Sequence, residues 1–345
     1  MTFDQRLRQG RAMAAVTVLG SGSWGTALAI HLARNGHSVA LWARSRETVD
    51  QLRAAGEHSK SHPGVAFPDG LHPTSDLEEA CRTAEAIVVS CPSHAVRSLG
   101  EVIRPLLQPA ALIVSTSKGI EQDTHMTMSD ILEDVLPEHA TRVSVLSGPS
   151  FAREVARGLP TAVTAAAGYQ SVAEELQRLF HAPAFRVYTS TDMVGVEVGG
   201  AVKNVIALAA GASDGLGFGH NTRAALITRG LAEISRLAIH MGADSRTLYG
   251  LSCLGDLVLT CTGDLSRNRT VGLRLGRGEK LREIIASMHE VAEGVRNTAS
   301  VRSLAHSASL DMPITEQMYE VLYEDKEPSQ AVVDLMARRL KQELE

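Results

Sequence analysis

The rhythm of apolar and polar positions changes once along the chain. From Ala15 to about Ser190, short apolar runs alternate with stretches spaced as helices. The runs are AVTVLG (15–20), SVALWA (38–43), AIVVSC (86–91), ALIVSTS (111–117), RVSVLSG (142–148), TAVTAAA (161–167) and FRVYTS (185–190). Such alternation predicts βαβ units around a mostly parallel sheet. Beyond Thr191 the strand-like runs stop, and segments such as TRAALITRGLAEISRLAIHMGA (222–243) and EKLREIIASMHEVAEGV (279–295) carry apolar residues every three to four positions. The expected organisation is a flexible extension over 1–13, a sheet domain over 14–191 and a helical domain over 192–345.

Within the helical half, VEVGGAVKNVIALAAGAS (196–213) reads as a packed helix, yet Lys203 stands inside it. On Lys203's own face, Gly199, Gly200, Ala207 and Ala210 are reached at spacings of three, four and seven. Such a stripe lets another backbone, or a ligand, come close. A lysine there is poorly solvated unless something anionic joins it. It reads either as a snorkelling surface lysine or as an active-site base, with the stripe leaving room for a ligand to reach the amine.

The 345 residues suggest about two domains, and a 44% hydrophobic content supplies ordinary cores. A net charge of −5 and a pI near 6.2 argue against nucleic acid as a main partner. Cys81, Cys91, Cys253 and Cys261 form no C-x-x-C pair and read as reduced thiols in a cytoplasmic protein. The N-terminus lacks the apolar stretch of a secretory signal. By length, 193–212 could cross a bilayer, but Glu197 and Lys203 would each cost about 2.5 to 3.5 kcal/mol at its centre, so a buried soluble helix is expected.

Residues 20–25, GSGSWG, follow the first strand and open a helix. In that place G-x-G-x-x-G signals dinucleotide binding: Gly20 allows the turn, Gly22 lets a pyrophosphate approach, and Gly25 lets helix and strand pack closely. The helix N-terminus adds unpaired N–H groups and positive potential. The fold class is therefore α/β, a Rossmann-like mostly parallel sheet domain followed by an all-helical C-terminal domain. The second strand ends LWARSRE, placing Arg44 where an acidic residue would hold the ribose hydroxyls of NAD. A 2′-phosphate would find a partner there, which favours NADP over NAD. Arg46 reads about equally well as a solvent-facing residue.

Ligands of an open parallel sheet lie beyond the carboxyl ends of its strands, so the following loops should converge. Lys118, Gly148 and Ser150 are on such loops. In the helical half, LGDLVLTCTGDLSRNRTVG (254–272) is read as a break in the helical pattern, with SRNR on a polar loop suited to phosphate oxygens. HEVAEG (289–294) lacks the second histidine of a zinc motif, and no metal site is expected.

The motifs VLGSGSWGTALAIHLARNGH (18–37), TSKGIE (116–121), SGPSFAREVARGLPTAV (147–163), VGGAVKNVIALAAGASDGLGFGHNTRAALITRGLAE (198–233), the 254–272 segment and AEGVRNT (292–298) closely resemble the bacterial NAD(P)-dependent sn-glycerol-3-phosphate dehydrogenases. The resemblance runs from about Ala14 to the last helices. It implies reversible hydride transfer between NAD(P)H and dihydroxyacetone phosphate, a small phosphorylated three-carbon substrate, giving sn-glycerol 3-phosphate for phospholipid synthesis. It also implies a cytoplasmic homodimer. Carried over motif by motif, Lys203 is the proton acceptor, with Lys118 and Asp256 completing the catalytic group. Lys118, Gly148, Ser150, Lys203, Asp256, Ser266, Arg267 and Asn268 line the substrate site. Gly20, Gly22, Ser23, Trp24, Gly25, Arg44, Lys118, Ala152, Arg267, Val291 and Glu293 match the cofactor contacts. Two competing readings are a related two-domain hydroxy-acid dehydrogenase and a non-catalytic dinucleotide sensor, the latter needing neither Lys118 nor Lys203.

Overall fold

The computed structural model describes residues 13–288, 292–340, 342 and 343. The extension expected over 1–13 therefore lies, apart from Met13, outside the described residues. Among the described residues, eight strands form one sheet: β1 (Ala15–Leu19), β2 (Ser38–Trp42), β3 (Leu71–Thr74), β4 (Ala86–Val89), β5 (Leu112–Ser115), β6 (Val143–Ser147), β7 (Thr161–Ala167) and β8 (Phe185–Ser190). The order is β3-β2-β1-β4-β5-β6-β7-β8, parallel throughout except where β7 runs antiparallel to β6. The central runs are almost continuously apolar because both sheet faces are covered there: every residue of β4 and β5 is buried.

One strand escapes the apolar pattern. LHPT carries Pro73, which cannot donate to a ladder, and β3 is accordingly an edge strand paired only with β2. Helices α1 (Ser23–Arg34), α2 (Arg46–Ala55), α3 (Leu77–Arg82), α4 (Val96–Ile103), α5 (Met128–Val135), α6 (Ala152–Ala156) and α7 (Gln170–Phe180) accompany the sheet. Strand order reverses between β1 and β4, and the crevice beyond that switch point is where such sheets take their ligands.

After β8 the described chain is helical: α8 (Met193–Gly215), α9 (His220–His240), α10 (Asp256–Thr262), α11 (Arg267–Gly276), α12 (Leu281–Ser287), α13 (Glu293–Ser307), α14 (Pro313–Tyr323) and α15 (Pro328–Met336). Asp192 caps α8 by accepting from the Gly195 N–H at 2.8 Å. Every residue from Gly195 to Ser213 is buried, so α8 is the axis around which the other helices pack. It is long and apolar enough to cross a membrane, but 89% of its most apolar window is covered by the rest of the protein.

Glycine sets how closely α8 and α11 approach. A Cβ on Gly272 would lie 2.0 Å from the Leu208 carbonyl oxygen, and one on Gly211 would lie 2.0 Å from that of Arg269. The two backbones touch directly. The segment 254–272, read as a break in the helical pattern, is instead mostly α10 and α11. Ser266 accepts from the Arg269 N–H at 3.2 Å and so starts α11, which buries Val271 and Leu275 against the core. Arg267, Asn268 and Arg269 occupy its first turn rather than a loop.

Candidate active site

The glycine turn joins β1 to α1 in the geometry its sequence requires. Gly20 has φ +123°, and a Cβ there would lie 2.5 Å from the Ser90 carbonyl oxygen, so the loops after β1 and β4 abut. At Gly25 a Cβ would meet the Gly20 carbonyl oxygen at 2.0 Å, which fixes close packing of helix on strand. Gly22, by contrast, faces open space and precedes α1 with no side-chain cap. An open, uncapped N-terminus with no Cβ in the way fits a dinucleotide pyrophosphate. Ser23 and Trp24 are half-buried in the first turn, Trp24 packing against the sheet core. Two histidines brace the turn from outside: His58 Nε2 donates to the Ser21 carbonyl at 3.2 Å and His62 Nε2 to that of Ser23 at 2.7 Å. The sequence carried no spacing that would have marked them. Arg44, exposed at the end of β2, makes no hydrogen bond or ion pair with any described residue.

Lys118 follows β5 at the same edge of the sheet. Its Nζ lies 2.6 Å from Asp256 Oδ2, while Lys203 Nζ, reaching from α8, lies 2.9 Å from Asp256 Oδ1. One carboxylate therefore holds two ammonium groups. Lys203 also donates to Thr260 Oγ1 at 2.7 Å, and that hydroxyl in turn donates to the Asp256 carbonyl at 2.6 Å. Asp256 begins α10 straight after a single wide helical turn over Leu251–Gly255, an irregularity that aims its carboxylate back at α8.

Burial and mutual charge together decide the protonation of this group. Lys203 and Asp256 are 6% and 2% exposed. Desolvation pushes the Lys203 amine down, Asp256 opposes, and Lys118 pushes it further, with the balance at about 8. Burial acts to raise the Asp256 carboxyl, but the two lysines outweigh it and hold the group below its ordinary value. Glu197, on α8 itself, stays clear of the lysines and accepts from the backbone N–H (2.9 Å) and hydroxyl of Ser129.

The small-residue stripe around Lys203 serves protein packing rather than ligand access. A Cβ on Gly199 would come within 2.7 Å of Cys253 Cβ, and one on Gly200 within 3.3 Å of Ser147 Oγ and 3.6 Å of Lys118 Cδ. Ala207 and Ala210 are fully buried.

Around this centre, Gly148 (φ +149°) lets the chain after β6 pass against Val163, and Ser150 donates to the Gly148 carbonyl at 2.9 Å. Ala152, half-buried, opens α6. Asn268 is drawn inward: its Nδ2 donates to Asn204 Oδ1 at 2.9 Å and its Oδ1 accepts from the Gly294 N–H at 2.9 Å. Arg267 is exposed at the start of α11. Glu293 accepts from Ser93 Oγ at 2.8 Å, joining α13 to the loop after β4, whereas Val291 lies outside the described residues. Sequence reasoning passed over Asn204, Ser93 and Asn297 altogether and gave Thr260 no role, because the partners that place them in the site are 57 or more residues away.

Family models described as the N-terminus and C-terminus of NAD-dependent glycerol-3-phosphate dehydrogenase match residues 15–173 and 192–333. The chain belongs to that family. It is 55% identical over 329 residues to the glycerol-3-phosphate dehydrogenase (NAD(P)+) of Geobacter sulfurreducens, covering 95% of this chain and 98% of that one. The Geobacter metallireducens protein of the same name is 56% identical over the same length, with the same shares of each chain covered. Among solved structures, glycerol-3-phosphate dehydrogenase from Coxiella burnetii superposes with a TM-score of 0.91 at 40% identity, over 94% of this chain and 99% of that one. A D-mandelate dehydrogenase solved with NADH and anilino(oxo)acetate shares the fold alone, at 14% identity, TM-score 0.61, and 92% and 99% coverage.

Proposed function

We propose that this glycerol-3-phosphate dehydrogenase family member reduces dihydroxyacetone phosphate reversibly to sn-glycerol 3-phosphate, and that Lys203 moves the proton. The observation that carries the reading is the single buried carboxylate of Asp256 shared by two lysines at the ligand edge of the sheet. The bound cofactor would supply the hydride as NAD(P)H in reduction and take it as NAD(P)+ in oxidation. Reduction builds negative charge on the carbonyl oxygen, so a cationic acid must stand beside it, and the reverse direction needs a neutral base. An amine titrating near 8 can serve both directions close to neutrality. Lys118, the less buried of the two, supplies a second positive charge toward the developing oxyanion. Asp256 keeps both ammonium groups in place, and Thr260 fixes the direction of Nζ.

The start of α11 suits the substrate phosphate: Ser266 caps it, Arg267 adds a fork of donors, and Asn268 retains an N–H beyond the one given to Asn204. Gly148 and Ser150 would line the same pocket from the strand side. For the cofactor, Gly20, Gly22, Ser23, Trp24 and Gly25 would hold the pyrophosphate turn. Lys118, Ala152, Arg267, Val291 and Glu293 would extend its contacts, and Arg44 would favour NADP through the 2′-phosphate. Domains of 14–191 and 192–345, a cytoplasmic homodimer and supply of the glycerol backbone of phospholipids complete the reading. The test follows NADPH and NADH absorbance with dihydroxyacetone phosphate, unphosphorylated dihydroxyacetone and 2-keto acids in parallel. Preferred turnover of a keto acid, or no turnover of any, would sink it.

A further inference from the structure

We propose that Asn297 is a positioning residue that sets how Lys118 and Lys203 share Asp256. Its side chain, 1% exposed on α13, reaches both backbones that carry the lysines. Asn297 Nδ2 donates to the carbonyl of Lys118 and to that of Ala201, each at 3.4 Å. Ala201 lies on α8 two residues before Lys203, and Lys118 lies beyond the end of β5, where no neighbouring strand pairs with it. A single amide therefore spans the two elements whose ammonium groups meet on Asp256.

The Lys118 loop has no slack at Gly119. A Cβ on Gly119 would come within 2.6 Å of Ser93 Cβ and 3.0 Å of Asn297 Oδ1, so the loop lies directly against both residues. Ser93 is itself tied to α13 through Glu293 at 2.8 Å. One helix thus holds the loop twice, directly through Asn297 and by way of Glu293 through Ser93. The bonds from Asn297 are long, and their value is geometric: they fix where Lys118 stands relative to α8.

The proposal rests on Lys203 as the acid–base group. The charged and titratable groups facing that amine are Asp256, Lys118 and Cys261. If the Lys118 loop drew back, the amine would lose a repelling neighbour and have Asp256 more to itself, and both changes favour its protonated form.

The experiment measures the kcat–pH profile of glycerol 3-phosphate oxidation for wild type, Asn297→Leu and Gly119→Ala, with NADPH dissociation constants from fluorescence titration. Both variants should lose about tenfold or more in kcat and move the profile's midpoint up by about half a pH unit, while NADPH binding stays within about threefold. A purely structural role would leave the midpoint where it is. Gly119→Ala disturbs the same loop through its contacts with Ser93 and Asn297 and carries the test if Asn297→Leu does not fold. A wild-type inflection that the variants leave in place, or kcat within about threefold of wild type, overturns the proposal. A flat wild-type profile overturns the Lys203 assignment and this inference with it.

Discussion

Lys203 and Asp256 are paired inside the protein, Nζ to Oδ1 at 2.9 Å, with neither side chain more than 7% exposed. A buried ion pair is a weak source of stability, because two desolvation penalties stand against one attraction. Here the attraction is also divided, since Lys118 takes the second oxygen of the same carboxylate. The arrangement leaves Lys203 easier to deprotonate than an ordinary lysine, which suits proton transfer better than it suits holding the fold together.

The direction of catalysis should therefore split the pH dependence. With the Lys203 amine at about 8 against an ordinary 10.5, kcat for oxidation should rise through about pH 8 as the neutral base forms. Reduction, which needs the ammonium form, should fall over the same interval. The stability linkage has one sign: from pH 8 to 10.5 the unfolded chain holds a proton that the folded chain lacks, so this group's contribution grows with pH. Steady-state profiles in both directions check the first claim. Two profiles rising together would contradict it.

Cofactor choice should depend on Arg44, which is exposed at the end of β2 immediately before Ser45 caps α2. Losing a charge-assisted contact to a 2′-phosphate costs about 1.5 to 3 kcal/mol. Arg44→Ala should accordingly weaken NADPH by at least about tenfold and leave NADH nearly unchanged. Isothermal titration with both cofactors decides it, and equal losses would remove Arg44 from the 2′-phosphate.

Packing of the helical half should be intolerant at Gly272. A methyl group there would sit 2.0 Å from the Leu208 carbonyl oxygen and 2.8 Å from the Ala212 nitrogen, both backbone atoms that can yield only if α8 and α11 separate. Gly272→Ala should lower stability by about 1 to 3 kcal/mol, seen as an earlier urea midpoint at unchanged slope. An unshifted midpoint would mean that the helices part without strain.

The legible parts of the sequence were those governed by neighbours along the chain. GSGSWG states its own turn, and the apolar runs mark seven of the strands, the central ones because both of their faces are buried. The eighth, β3, was hidden by Pro73, which an edge position tolerates. The first turn of α11 was hidden by SRNR, whose polarity suggests a loop until Ser266 is seen capping the helix. The stripe at Gly199 and Gly200 announced close approach without saying of what; the partners proved to be Cys253, Ser147 and the stem of Lys118. Lys118, Lys203 and Asp256 could be marked one by one, but their sharing of one carboxylate arises from contacts 138 and 53 residues apart. No local pattern records such a contact. Asn297 went unseen for the same reason, its two carbonyl partners being 179 and 96 residues away.

The central claim, that Lys203 carries the proton, is tested most directly by single-turnover reduction of dihydroxyacetone phosphate with Lys203→Met. Methionine is similar in length and apolar, so the buried site keeps its packing while losing the ammonium group. Thermal melting and NADPH titration should show a folded protein that binds cofactor, with Lys118 left to pair with Asp256. Turnover should fall by several orders of magnitude. A variant that binds NADPH normally and reduces the substrate within about tenfold of wild type, a loss below ~1.4 kcal/mol, would contradict it.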